Sequence, residues 1–138
     1  MELNNTTQYA IRILNYINVN STDKLFSARL LAENLTINYK FLTAIMTKLV
    51  KAEILKSIRG KDGGFKLIKK ADEIFLMDII KLFDDSFDRD ACILGIDEKC
   101  DATKKCFMHN KWIKPKTEVY SLFETTTLED VKEKGDRF

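Results

Sequence analysis

The 138-residue chain has few of the residues from which enzymatic sites are built: one histidine, one proline, one tryptophan and five glycines. No glycine-rich phosphate loop precedes a helical segment, and no Ser/His/Asp set is evident, so an enzyme is not expected. No run of about 18 apolar residues exists, so no membrane partner is expected. The opening Met1-Glu2-Leu3-Asn4-Asn5 lacks the basic-then-apolar order of a signal peptide, and a cytoplasmic protein is expected. Three cysteines are an odd number; in that compartment they argue against a disulfide framework and towards metal or redox chemistry. The length suits one compact domain plus an arm rather than two independent cores.

The net charge of +2 is unevenly spread. Residues 1–70 hold 12 Lys/Arg against 5 Asp/Glu, whereas residues 71–138 hold 11 against 16. A basic half suits a polyanion, because neutralising phosphates releases condensed counterions. An unevenly charged, solvated surface would look the same by charge alone.

Helical periodicity dominates the first fifty residues. Ala10, Ile13, Leu14 and Ile17 form one apolar face, after which Asn18 to Lys24 reads as a polar turn. Ser27 is placed to cap a helix carrying Leu30, Leu31 and Leu35. After a break at Thr36-Ile37, Asn38 is a second cap. The next helix carries Leu42, Ile45, Met46 and Leu49 on one face and Lys40, Thr43, Thr47, Lys48 and Lys51 on the other. Two short helices with a polar, basic outer face fit helix-turn-helix geometry, although two core helices of a bundle would show the same pattern.

The next segment decides between these readings. Ile54 to Arg59 is strand-like, Gly60-Lys61-Asp62-Gly63-Gly64 is a turn, and Phe65 to Lys69 is a second strand. The hairpin carries Lys56, Arg59, Lys61, Lys66, Lys69 and Lys70. Directly after a helix-turn-helix, a basic hairpin reads as the wing of a winged helix that lies against double-stranded DNA. A helix over about Leu76 to Phe83 closes this part. Asp84 to Lys105 is acidic and irregular. A helix is expected from Thr103 onward, placing Cys106 in its first turn, with a kink or new start at Pro115. A short last helix is expected at Thr127, with Thr127 as its cap.

The cysteines read Cys92-x7-Cys100-x5-Cys106-x2-His109, and His109 is the chain's only histidine. Four soft or borderline donors of this kind can hold an iron–sulfur cluster or a closed Cys3His zinc site, and spacing alone does not choose between them. A redox disulfide, an approximate CCCH zinc finger and chance clustering in a mobile loop are the remaining readings.

Over nearly its whole length the chain resembles the Rrf-two family of bacterial winged-helix transcription regulators. The resemblance is carried by Tyr9-Ala10-Ile11-Arg12, Leu31-Ala32, Phe41-Leu42, Ser57-Ile58-Arg59-Gly60-x-x-Gly63-Gly64-Phe65, the three cysteines and Thr127-Leu128. It implies a mainly α fold: a winged helix-turn-helix over residues 1–84 with a two-stranded β wing, then a sensor loop and long C-terminal dimerisation helix over 85–138. It further implies a homodimer on a roughly palindromic operator. The Cys106-x2-His109-x2-Trp112 ending is similar to the IscR-like branch, which implies Cys92, Cys100, Cys106 and His109 as ligands of a two-iron cluster, with a four-iron cluster left open. Some relatives take a fourth ligand from an acidic residue of the first helix, where this chain offers Asn5 and Gln8.

Three positions depart from that pattern. The first cysteine gap is x7 rather than x5. Thr43 replaces an acidic specificity residue, and Glu53 replaces the glycine usual after the recognition helix, a strain if positive φ is required there. The expected DNA contacts are Ser27, Asn38, Tyr39, Lys40 and Thr43 on the helices and Ser57, Arg59, Gly60 and Lys61 on the wing. The expected function is a cluster-sensing repressor responding to redox state, nitric oxide or iron–sulfur status. The alternative is a zinc-stabilised or thiol-redox winged-helix protein without a cluster.

Overall fold

The computed structural model describes residues 2–20 and 24–132. Its elements are α1 (Asn5–Asn20), α2 (Ala28–Leu35), α3 (Tyr39–Lys51), β1 (Leu55–Ile58), β2 (Gly64–Leu67), a 3-10 turn (Ala71–Glu73), α4 (Leu76–Phe83) and α5 (His109–Thr125). The fold is a mainly helical winged helix-turn-helix.

The apolar faces read from the sequence build the core. Ala10, Ile13, Leu14 and Ile17 of α1 pack with Leu31 and Leu35 of α2 and with Leu42, Ile45, Met46 and Leu49 of α3. Helix α1 continues to Asn20 rather than giving way at Asn18. Asn18 is buried and its side-chain amide donates to Leu128 O at 3.5 Å and Glu129 Oε2 at 3.3 Å, so tertiary partners satisfy a polar residue that reads as a turn former. Residues 21–23 of the expected turn lie outside the described residues.

Both expected caps form. Ser27 Oγ accepts from Leu30 N at 3.1 Å, and Asn38 Oδ1 accepts from Lys40 N at 3.0 Å and Phe41 N at 3.3 Å. Arg12 Nη2 donates to Leu35 O at 3.1 Å while its guanidinium lies over the Tyr9 ring, so the Tyr9-x-x-Arg12 pair of α1 closes the C-terminal end of α2. Helices α2 and α3 both end in left-handed residues, Thr36 (φ 54°) and Glu53 (φ 58°). After α3, Glu53 N donates to Val50 O and Ile54 N to Leu49 O, the paired bonds of a Schellman ending.

Strands β1 and β2 pair antiparallel in the register Leu55↔Leu67 to Ile58↔Gly64. Phe26 and Phe65 exchange backbone bonds at 2.9 and 2.8 Å, fastening the wing's base to the entry of α2. Two wing glycines leave no room for a side chain, Gly63 within the turn itself and Gly64 against Phe26. A Cβ on Gly63 would collide with the Ile58 carbonyl oxygen, and one on Gly64 would sit 2.7 Å from Phe26 O.

Helix α4 lies between two cores. Its Leu76 and Ile79 enter the first, while Met77 and Ile80 join Tyr120 of α5, with Leu3, Phe87 and Phe123 packed against them. Beyond α5 the chain returns to the first core. Leu76 N donates to Thr126 O, Leu128 N to Ile74 O, and Leu128 is fully buried. Thr127 does act as a cap, exchanging bonds with Asp130, but over the described residues it closes a turn and not the expected last helix.

Candidate functional site

Two surfaces carry the residues singled out in the sequence. The first is formed by α3 and the wing. Tyr39 is 56% exposed at the start of α3, with Asn38 and Lys40 exposed beside it and Thr43 half-buried one turn on. Thr43 Oγ1 donates to Lys40 O at 2.9 Å, which leaves its oxygen free to accept. Lys48, on the same helix, is instead drawn over the Phe83 ring at 5.3 Å. On the wing, Ser57, Arg59, Gly60 and Lys61 are all exposed, and Gly60 O accepts from Gly63 N at 3.0 Å to close the tip. Among the described residues no salt bridge engages Lys40, Arg59 or Lys61, so these charges face solvent uncompensated. Ser27 is exposed at the N-terminus of α2, its hydroxyl oxygen occupied by the cap.

The second surface is a small cavity between the segment after α4 and the start of α5. Cys92, Cys100, Cys106 and His109 all line it, together with Asp97, Lys99, Asp101 and Lys104. The three thiols are free and half-buried. Cys100 Sγ lies 3.3 Å from His109 Nδ1, and His109 itself is buried. Cys92 begins a tight turn in which Gly95 N donates to Cys92 O. The backbone N–H groups of Asp97, Ile96 and Leu94 favour the thiolate and hold the Cys92 pKa below its ordinary value. Asp101 is likewise held low, by the hydroxyl and N–H of Thr103 and the N–H of Lys104. Among the described residues no group of three or more His, Cys, Asp or Glu side chains is arranged around a single metal-ion position.

The expected helix through Cys106 is not there. Helix α5 starts at His109, so Cys106 belongs to the loop, tied to the helix by His109 N donating to Cys106 O at 3.1 Å. The thiol is therefore not held by a helix N-terminal turn, and all three cysteines are carried by irregular chain. Pro115 falls inside one continuous α5. At the first helix, Gln8 Nε2 donates to Leu3 O at 2.6 Å, so its amide is already engaged.

Sequence reasoning passed over two anchors of this loop. Asp84 is buried. Its carboxylate accepts from Asn4 N at 3.1 Å, Ser86 N at 3.1 Å and Ser86 Oγ at 2.5 Å, joining the loop's start to the beginning of α1. Burial opposes the charged form, but these bonds outweigh it and hold the Asp84 pKa below the usual carboxylate value. Lys116 is buried on α5 and its Nζ donates to Ala91 O at 3.2 Å, one residue before Cys92. The signal available for Lys116 was its helical spacing: Trp112, Lys116 and Tyr120 fall at i, i+4 and i+8 on one face.

Residues 3–134 match the sequence model of Rrf2, described as an iron-dependent transcriptional regulator. The chain belongs to the Rrf2 family. Rrf2 relatives include a putative HTH-type transcriptional regulator of Aquifex aeolicus, 34% identical over 95% of this chain and 91% of that one. Another is the HTH-type transcriptional regulator NsrR of Halalkalibacterium halodurans, 28% identical over 95% and 90%. The solved structure of CymR (YrzC), the global cysteine regulator of B. subtilis, has the same fold, with a TM-score of 0.79 at 21% identity over 96% of each chain. The Rrf2 assignment makes the protein a DNA-binding transcriptional regulator and not an enzyme. No helix among the described residues is long and apolar enough to cross a membrane.

Proposed function

We propose that this protein is a repressor whose DNA binding is set by an iron–sulfur cluster held by Cys92, Cys100, Cys106 and His109. The observation that carries this reading is the meeting of all three thiols and the only imidazole in one cavity. The donor set fits: thiolate and imidazole are ligands of iron–sulfur centres, and a two-iron cluster shares its ligands between two metals, so they need not converge on one point. A closed structural zinc site would use the same four donors around one ion, and a metal and sulfide count separates the two. When bound, the cluster would supply a redox- and nitric-oxide-sensitive group that draws the loop together.

The chain's own residues supply the rest. The loop is tied to α4 and α1 through Asp84, and to α5 through Lys116 and the Cys106–His109 bond. Helix α5 is in turn tied to the winged helix through Thr126 and Leu128. A change in loop order therefore reaches the DNA-binding part through packed elements, by the difference in cluster affinity between two arrangements. Helix α5 leaves Ile113 and Leu122 exposed, an apolar surface suited to a second copy in a homodimer. On DNA, Tyr39, Lys40 and Thr43 would enter the major groove of a roughly palindromic operator, with Ser27 and Asn38 at the helix starts facing phosphates and Ser57, Arg59, Gly60 and Lys61 following the backbone beside it. With its hydroxyl proton given to Lys40 O, Thr43 offers a base an acceptor and a methyl group.

The test is a visible absorption spectrum of protein purified without oxygen, with iron, sulfide and zinc counted on the same sample. Charge-transfer bands with matching iron and sulfide, lost in Cys92→Ala, are expected. Colourless protein carrying one zinc per chain would overturn the cluster. Metal-free protein whose operator binding is reversed by peroxide and restored by thiol would point to direct thiol sensing, a reading for which the Cys100–His109 contact is the specific support.

A further inference from the structure

A cavity of about 250 Å³ lies between α5 and the segment following α4, apart from the DNA-facing surface. Lys116, 3% exposed, is among its lining residues, and its Nζ donates to a neutral carbonyl, Ala91 O. An ammonium carries three donors, and among the described residues no salt bridge compensates this one. A buried cation without a counter-charge is costly, and an entering anion relieves it. The walls are aromatic: Trp112, and Phe87 stacked on Tyr120 with ring centroids 4.9 Å apart. Two exposed carboxylates, Asp88 and Glu2, also line it. One Asp88 oxygen takes the Asp90 N–H at 2.9 Å, and the other has no hydrogen bond among the described residues.

A buried cation, exposed carboxylates and aromatic faces lining one cavity complement a small zwitterion with an apolar body. We propose that this cavity binds a free α-amino acid with an apolar side chain. Its carboxylate accepts from Lys116 Nζ, its ammonium faces Asp88 and Glu2, and its side chain packs against Trp112 and Phe87. Cys92 touches the same cavity, so occupancy would be felt at the cysteine loop, but the binding itself does not depend on a cluster.

Trp112 is the only tryptophan, so its fluorescence reports this cavity. L-phenylalanine titrated into the full-length protein should give a saturable change. Phenylacetate, lacking the ammonium, and phenethylamine, lacking the carboxylate, should each bind about tenfold more weakly, the scale of one charge-assisted hydrogen bond. Lys116→Met should weaken phenylalanine binding by about tenfold or more with an unchanged far-UV circular dichroism spectrum. Should that variant fail to fold, Asp88→Asn decides, with an expected loss of about threefold. No saturable change with phenylalanine, or equal binding of phenylacetate, overturns the proposal. So does wild-type affinity in whichever of these variants folds.

Discussion

Replacing Glu53 by glycine is expected to stabilise the protein although it removes a side chain. Glu53 sits just after α3 at φ 58°, in the left-handed region. An L-residue there holds its Cβ against the following carbonyl at a cost of about 1–2 kcal/mol. Glycine escapes that cost but loses about 0.5–1 kcal/mol more backbone entropy on folding. The Glu53 side chain is exposed and makes no salt bridge among the described residues, so little is lost with it. The net gain is about 0.5–1 kcal/mol, a rise of about 2–5 °C in Tm for a chain of this size. Glu53→Ala is the control: it removes the same charge but keeps the Cβ, so it should melt close to wild type. The assay is thermal and urea unfolding of all three proteins in the metal-free state at equal concentration. Coincident melting of the glycine and alanine variants, or a glycine variant below wild type, would refute the argument from φ. Thr36, β-branched and at φ 54°, should respond to glycine at least as strongly.

Gly63→Ala should disrupt the wing, because the added methyl meets the Ile58 carbonyl; operator affinity should drop at least about tenfold in a gel-shift assay while the helical circular dichroism signal persists. Arg59→Ala should weaken binding to specific and random duplexes alike and reduce the slope of log affinity against log salt by about one, whereas Thr43→Val should change base preference in a binding-site selection. The Asp84 carboxylate has a depressed pKa in the folded protein, so its contribution to stability is fully present above the unfolded value of 3.8 and is lost as pH falls through the lower folded value. Urea midpoints measured across acidic pH should therefore fall less steeply for Asp84→Asn than for wild type.

Much of the winged helix was legible in the sequence because its instructions are local. Ala10, Ile13, Leu14 and Ile17 repeat at the helical period. Ser27 and Asn38 carry the oxygens that helix starts require, and Gly63 and Gly64 mark a turn whose neighbours leave no room for a Cβ. Local signals misled where a distant partner outweighed them. Asn18 reads as a turn former, yet the C-terminal turn supplies its partners and α1 runs on. Thr127 and Asp130 form a cap in either case, but Leu128 is claimed by the first core, and the described chain there is a turn. The four donors of the cysteine cavity were identifiable by residue type and spacing. Their meeting place was not, because Cys92, Cys100 and Cys106 lie on irregular chain whose path is fixed by Asp84 at one end and Lys116 beside it. Periodicity is a property of a segment and can be read from it. The burial of a charged group beside a carbonyl 25 residues away exists only once the helix and the loop have packed together.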